Sequence, residues 1–198
     1  MTPLYGLVLA GGRSSRMRTD KAALRIGERP QLDIAFELVA RRVAKAWVSV
    51  RPEQRADPLR AAHAQVVDGP GVEGPIAGII AAQATAPDAA WLVVACDLPL
   101  LDAATLDQLL AARDTSRLAT AFASTFDGLP EPLCAIYEPA SREPMRRYVA
   151  AGGFCPRKFL AGHEVALLSP ANARALDNAN TPEELAAARS ALAARGVA

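Results

Sequence analysis

A short apolar run, Leu4 to Leu9, ends abruptly in Ala10-Gly11-Gly12 and gives way to a polar segment carrying Arg13, Arg16, Arg18 and Lys21. A strand that opens into a glycine-rich, basic loop brings backbone N–H groups and cations against phosphates. Glycine suits the place because, without a Cβ, it lets the backbone approach an anion closely and take a positive φ. The spacing excludes two familiar phosphate loops. A Walker A loop needs glycine, four residues and then Gly-Lys-Ser/Thr, whereas Gly12 is followed by Arg-Ser-Ser-Arg-Met-Arg. The dinucleotide fingerprint needs G-x-G-x-x-G, and no glycine occurs between Gly12 and Gly27. What is left is a loop bearing Arg16 and Lys21, long enough to wrap a triphosphate. A glycine turn beside a solvated charge cluster is the plainer reading of the same residues.

Downstream, short apolar runs alternate with Ala/Leu-rich helical patterns, which argues for βαβ units and a mainly parallel sheet. Strands are expected at Leu4–Ala10, Ala46–Val50, Ala64–Val67, Trp91–Ala95, Leu118–Ala123, Leu133–Tyr137 and Val165–Leu168. Helices are expected at Pro30–Lys45, Pro52–Ala62, Ile76–Ala84, Ala103–Ala112, Glu138–Ala150 and Pro182–Arg195. No repeat, linker or charge block interrupts the pattern, so residues 1–198 read as a single α/β domain with a substantial core. A net charge of +1 makes no case for a nucleic acid or anionic membrane as partner. No uncharged apolar stretch of about 18 residues is present, so no membrane span is expected. The N-terminus lacks the basic lead and cleavage site of a signal peptide. Cys96, Cys134 and Cys155 are odd in number and form no C-x-x-C pair, which argues against a disulfide framework or zinc site and for a reducing, cytoplasmic setting. His63 and His163 have no ligand neighbours at metal spacing and read as surface residues.

Ligands of open α/β sheets bind beyond the carboxyl ends of the strands, so the residues that follow each strand matter most. Trp91 to Ala95 is apolar throughout, as befits a strand buried on both faces, and Cys96-Asp97-Leu98-Pro99 follows. An Asp there is poorly placed for packing and well placed for Mg²⁺, which takes one or two carboxylates plus substrate phosphates and water. The plainer role for Asp97 is to cap the helix that begins near Asp102 or to satisfy loop N–H groups. After Gln65-Val66-Val67 come Asp68 and then Gly74-Pro75-Ile76-Ala77-Gly78. Pro75 suits a first helical turn, and the two glycines would let a flat ring or ribose lie against the backbone, unless they are loop punctuation. Near the C-terminus, Thr181, Pro182 and Glu184 read as a capping box, which leaves Asn178 and Asn180 unexplained. Arg157 and Lys158, after Gly152-Gly153, could meet an acceptor phosphate or simply face solvent at a helix start.

The opening stretch resembles the N-terminal signature of the molybdenum cofactor guanylyltransferases, LAGGxSxRMGxDK. Leu9, Ala10, Gly11, Gly12, Ser14, Arg16, Met17, Asp20 and Lys21 match, and Arg18 stands where the family has Gly. Further along, Gly74-Pro75-Ile76-Ala77-Gly78 is similar to the family's GPLAG, Cys96-Asp97-Leu98-Pro99 to its CDxP, and Asn178 to Leu185 to its NxNTPEEL. The likeness is weak between Ala112 and His163, and Gln31 stands where relatives often carry Leu. It implies a Rossmann-like three-layer sandwich with a mostly parallel central sheet, of the nucleotide-diphospho-sugar transferase type. It also implies that Leu9, Ala10, Gly11, Gly12, Lys21, Asp68, Gly78, Asn178 and Asn180 hold the nucleotide, with Asp97 as the Mg²⁺ ligand. Arg51 stands where the family ends a strand in a nucleotide-contacting Asn; Arg offers donors only, where an amide offers a donor and an acceptor.

The expected chemistry is transfer of a nucleoside monophosphate to an acceptor phosphate with release of pyrophosphate. The acceptor oxygen is already ionised at neutral pH, so no general base is needed, in keeping with a chain that offers no Ser/His/Asp set. Arg16 and Lys21 would neutralise the triphosphate, and Mg²⁺ on Asp97 would bridge its oxygens. The resemblance supplies GTP and a molybdopterin-type acceptor as partners, with other cofactor-biosynthesis proteins beyond them. Two competing readings stand: a cytidylyl- or other nucleotidyltransferase on the same fold, against which the run Leu9-Ala10-Gly11-Gly12 speaks because cytidylyl relatives tend to read LAAG, and a non-catalytic nucleotide-binding homologue.

Overall fold

The N-terminal apolar run forms β1 (Leu4–Leu9), which lies in the middle of a seven-stranded sheet. The computed structural model describes residues 2–12, 20–179 and 181–194. After β1 come a small hairpin of β2 (Arg25–Ile26) and β3 (Arg29–Pro30), then α1 (Gln31–Ala40), β4 (Ala46–Val50), α2 (Pro58–Ala61) and β5 (Gln65–Val67). The chain continues through α3 (Pro75–Thr85), β6 (Ala90–Ala95), α4 (Ala103–Ala111), β7 (Ala119–Ala123) and β8 (Pro130–Tyr137). It ends with α5 (Arg142–Ala150), α6 (Pro156–Ala161), β9 (Ala166–Leu168) and α7 (Pro182–Ala194). Sheet order is β5-β4-β1-β6-β8-β7-β9. β1 runs parallel to β4 and β6, β4 parallel to β5, and β7 parallel to β9, whereas β8 is antiparallel to both of its neighbours.

Period-two alternation of apolar side chains builds two cores from one sheet. Val8, Val48, Leu92, Val94 and Ile136 point to the face covered by Leu32, Ala35 and Val39 of α1 and Leu106 and Leu109 of α4. Leu7, Trp91, Val93, Ala135 and Tyr137 point to the other, covered by Ile76 and Ile79 of α3, Met145 of α5 and Phe159 of α6. Each fully buried Val, Leu or Ile in these layers stabilises the fold by roughly 1.5–3 kcal/mol. The α7 helix closes against Leu100 and Ile26 through Ala188 and Leu192. This is the expected three-layer α/β sandwich on a mostly parallel sheet.

Several boundaries differ from the sequence expectation, each for a physical reason. The first long helix stops at Ala40 rather than Lys45, because Ala44 and Lys45 pair with β1 through Ala44 N to Leu4 O and Gly6 N to Lys45 O. The helix expected over 52–62 is split into a 3₁₀ turn at Pro52–Gln54 and α2 at Pro58–Ala61; Pro58 cannot continue a helix interior but fits a first turn. β8 begins at Pro130, beyond the stretch that pairs with β6, where a missing N–H is tolerated. Pro156–Ala161, which carries Arg157 and Lys158, is a helix with its proline in the first turn. His63 is not a surface residue: its side chain is only 14% exposed, its Nε2 lies 2.8 Å from Asp33 Oδ1, and its ring packs on Phe36. His163 is exposed, as expected.

Candidate active site

Strand order leaves a crevice where the chain turns back, at the carboxyl ends of β1 and β6. A cavity of about 660 Å³ opens there, a size typical of small-molecule sites. Leu9, Ala10, Gly11 and Gly12 line it from β1, Ser49, Arg51 and Glu53 from β4, Asp68 and Glu73 from the loop after β5, and Cys96 and Asp97 from β6. Backbone bonds from Ala10 N to Ser49 O and from Cys96 N to Leu9 O hold these strand ends together.

Lys21 and Asp97 meet across the cavity, Nζ to Oδ2 at 2.8 Å, with both side chains about one-fifth exposed at 22% and 18%. Lys21 opens a short 3₁₀ turn, Lys21–Ala23, whose first residues are held by Asp20 accepting from Ala22 N. Asp97 is not needed as a helix cap: Asp102 caps α4 itself, accepting from Thr105 N at 2.9 Å and Thr105 Oγ1 at 2.7 Å. The carboxylate of Asp97 therefore faces the cavity without a structural duty on α4. Its backbone carbonyl receives Ala179 N, which ties the C-terminal segment to the site.

Asp68 lies beneath Gly11, and Ser49 Oγ donates to its Oδ1 at 2.8 Å. Burial pushes the Asp68 carboxyl above its ordinary range, against the Ser49 hydrogen bond and the Arg51 charge, which both pull it down. Arg51 reaches the rim of the cavity, where its Nη1 pairs with Glu53 at 3.0 Å and its backbone N–H donates to Gln54 Oε1. Burial pushes the Cys96 thiol up to about 12, so it has no thiolate to offer as a nucleophile at neutral pH.

Not every residue singled out in the sequence lines this cavity. Gly78 sits below it: a Cβ there would come within 2.2 Å of Ser49 Oγ and 2.8 Å of Leu9 Cδ2, so its job is to let α3 press against β1 and β4. Gly74 does line it and, at φ 77°, takes the positive-φ backbone that starts α3. Asn178 is exposed beside Ala179 and does not line the cavity. Arg157 is committed elsewhere, to Asp127 at 3.0 Å, Glu131 at 2.8 Å and Pro130 O at 3.3 Å. Arg16 and Asn180 lie outside the described residues. The capping box at Thr181 is present, with Thr181 N donating to Glu184 and Glu184 N to Thr181 Oγ1.

Residues 6–169 match the family model described as the MobA-like NTP transferase domain. The chain belongs to that family. It is 34% identical over 184 residues to a molybdenum cofactor biosynthesis bifunctional protein of Synechocystis sp., covering 92% of this chain and 53% of that relative. The chain thus spans about half the length of the bifunctional protein. It is 33% identical over 196 residues to the molybdenum cofactor guanylyltransferase of Cereibacter sphaeroides, covering 96% of this chain and 97% of the relative. Among solved structures, molybdopterin-guanine dinucleotide biosynthesis protein A of Archaeoglobus fulgidus superposes with a TM-score of 0.80 at 21% identity, over 96% of this chain and 99% of that one. That likeness shows a shared fold.

Within this family site the charge balance is instructive. Among the described residues, the lining carries five carboxylates, Asp20, Glu53, Asp68, Glu73 and Asp97, against two cations, Lys21 and Arg51. A triphosphate would meet an acidic cavity unless further positive charge came with it. No cluster of three or more His, Cys, Asp or Glu stands ready to hold a metal by itself among the described residues. One cavity carboxylate beside bound phosphates is nonetheless the donor set that Mg²⁺ favours, and Asp97 fits it. No helix among the described residues is long and apolar enough to cross a membrane.

One residue escaped the sequence reading. Arg60, in the four-residue α2, is 1% exposed and bonds to Ala10 and Asp20 at the cavity's edge. In the sequence it looks like a surface cation spaced three residues from Asp57, and no local pattern marks it otherwise.

Proposed function

We propose that the chain transfers GMP from GTP to the terminal phosphate of a molybdenum-bearing molybdopterin, forming the guanine dinucleotide cofactor and releasing pyrophosphate. The observation that carries this is the Lys21–Asp97 pair, set across the crevice of a MobA-like nucleotidyltransferase fold. An oxygen of the acceptor phosphate attacks the α-phosphorus of GTP. The bond from that phosphorus to the α,β-bridging oxygen breaks, and pyrophosphate leaves with the electron pair. No proton has to be removed, so the residues need only position and neutralise. Lys21, with Arg16 from the loop signature, lies against the triphosphate. Asp97 would hold Mg²⁺, which would supply positive charge to the leaving phosphates. The backbone of Leu9 to Gly12 cradles phosphate, and Asp68 and Arg51 face the nucleoside. Gly78 acts one layer back, by the packing it permits, and Asn178 stands beside Ala179, whose N–H ties the C-terminal segment to the Asp97 carbonyl. A cytoplasmic setting fits the three free thiols.

Calorimetry with GTP, CTP and ATP, followed by pyrophosphate release with the molybdopterin acceptor, tests the reading. GTP is expected to bind most tightly and to turn over. Preference for CTP would move the chain to a cytidylyl class, and tight GTP binding without turnover would make it a non-enzyme.

A further inference from the structure

Arg60 is the only buried basic side chain among the described residues. Its guanidinium spends all five N–H donors inside the protein. Nε and Nη2 converge on the Ala10 carbonyl at 3.1 and 2.8 Å. Nη1 and Nη2 grip the Asp20 carboxylate at 2.7 and 2.8 Å. The remaining Nη1 hydrogen goes to Asp57 Oδ1 at 3.1 Å, and Asp57 in turn caps the helix by accepting from Arg60 N. With no donor left over, Arg60 does not bind phosphate. A buried cation is tolerated only when so paired, and the planar fork explains why arginine and not lysine fills the place.

The two groups it grips are the strand end that enters the nucleotide loop and the residue just before Lys21. We infer that Arg60 is a positioning residue, which fixes Ala10 and Asp20 in one rigid unit and through Asp20 aims Lys21 at Asp97. This gives Asp20 a role that phosphate binding alone does not. Asp20 is itself a carboxylate on the cavity wall, a poor neighbour for a triphosphate unless an arginine holds it. Burial pushes the Asp20 carboxyl up, but the Arg60 hydrogen bonds and charge outweigh that and hold it below its ordinary range. Asp20 is therefore ionised and gripped throughout the neutral range.

The inference rests on the nucleotidyl-transfer reading above, and its test separates the two. Arg60→Lys, Asp20→Asn, their double variant and Asp57→Asn are compared with wild type by pyrophosphate release from GTP with Mg²⁺ and the molybdopterin acceptor, and by thermal melting. Asp20→Asn alters one atom of a side chain that is 40% exposed, so it decides the matter alone should Arg60→Lys fail to fold. Misplacing Lys21 by about 1 Å should lower turnover roughly 100-fold, in kcat more than in KM, with melting within about 5 °C of wild type. Residues acting as one unit are non-additive, so the double variant should be no more than about threefold worse than either single one. Asp57→Asn, which leaves the Ala10 and Asp20 grips in place, should change turnover less than about threefold. Normal kcat in Asp20→Asn, or losses that multiply in the double variant, would overturn the positioning role while the transferase reading stands. A wild-type protein that releases no pyrophosphate from GTP would overturn the transferase reading itself.

Discussion

Two arginine–carboxylate clasps sit in the two halves of this sheet, alike in chemistry and different in consequence. In the parallel half, Arg60 grips Asp20 at the edge of the cavity. In the half built around antiparallel β8, Arg113 grips Glu138, Nε to Oε1 at 2.6 Å and Nη2 to Oε2 at 2.9 Å, and ties the end of α4 to the end of β8. Glu138 is 3% exposed in its side chain and lies outside the cavity lining. The same bidentate pair thus stands beside the Lys21–Asp97 pair in one place and joins two elements in the other. What decides is whether the carboxylate's chain neighbour faces the crevice. Asp20 is followed by Lys21, whereas Glu138 leads into the Pro139–Ser141 turn before α5.

Substitutions in either half separate the two clasps. The largest effect is expected from Lys21→Ala, which should cut pyrophosphate release by about a hundred- to a thousandfold while the urea midpoint stays near that of wild type. A large drop in the midpoint would mean that Lys21 serves the fold, as Arg113 does. Arg113→Ala should do the opposite. It strands the buried Glu138 carboxylate, at a cost of about 3 kcal/mol in urea unfolding, yet the folded protein should turn over normally. If activity vanished in fully folded Arg113→Ala, the division between the halves would fail. Gly78→Ala tests the seam between packing and site. Its Cβ would force Ser49 or α3 aside, costing roughly 1–3 kcal/mol, and because Ser49 donates to Asp68, GTP binding by calorimetry should weaken by a few-fold as well. Unchanged stability there would mean that α3 can retreat from β1 and β4.

The same division runs through what the sequence makes legible. In the parallel half each strand must deliver chemistry at its carboxyl end, so apolar runs stop in residues that packing does not ask for: Gly11-Gly12, Asp68 and Asp97. All three strand ends converge on one cavity. Around β8 no such demand exists, and the signals are those of packing alone, shared by many sequences. There Arg157 reads either as a phosphate contact or as a solvated cation at a helix start, though its donors hold the β7–β8 hairpin to α6. The legible half has its own blind spot. Gly78 carries a family motif, and its spacing does not tell close packing from ligand contact. Arg60 acts through contacts 40 and 50 residues distant in the chain, with Asp20 and Ala10, which no local pattern can encode. His63 likewise looks solvated until Asp33 and Phe36 are placed beside it.

We propose that the crevice between β1 and β6 transfers GMP by charge stabilisation, with Asp97 as the metal-holding carboxylate. Pyrophosphate release from GTP, measured side by side for wild type and Asp97→Ala with Mg²⁺ and the molybdopterin acceptor, tests it most directly. Brisk release by wild type and none by a folded Asp97→Ala protein is the predicted result. Near-normal release by Asp97→Ala would rule out that role for Asp97.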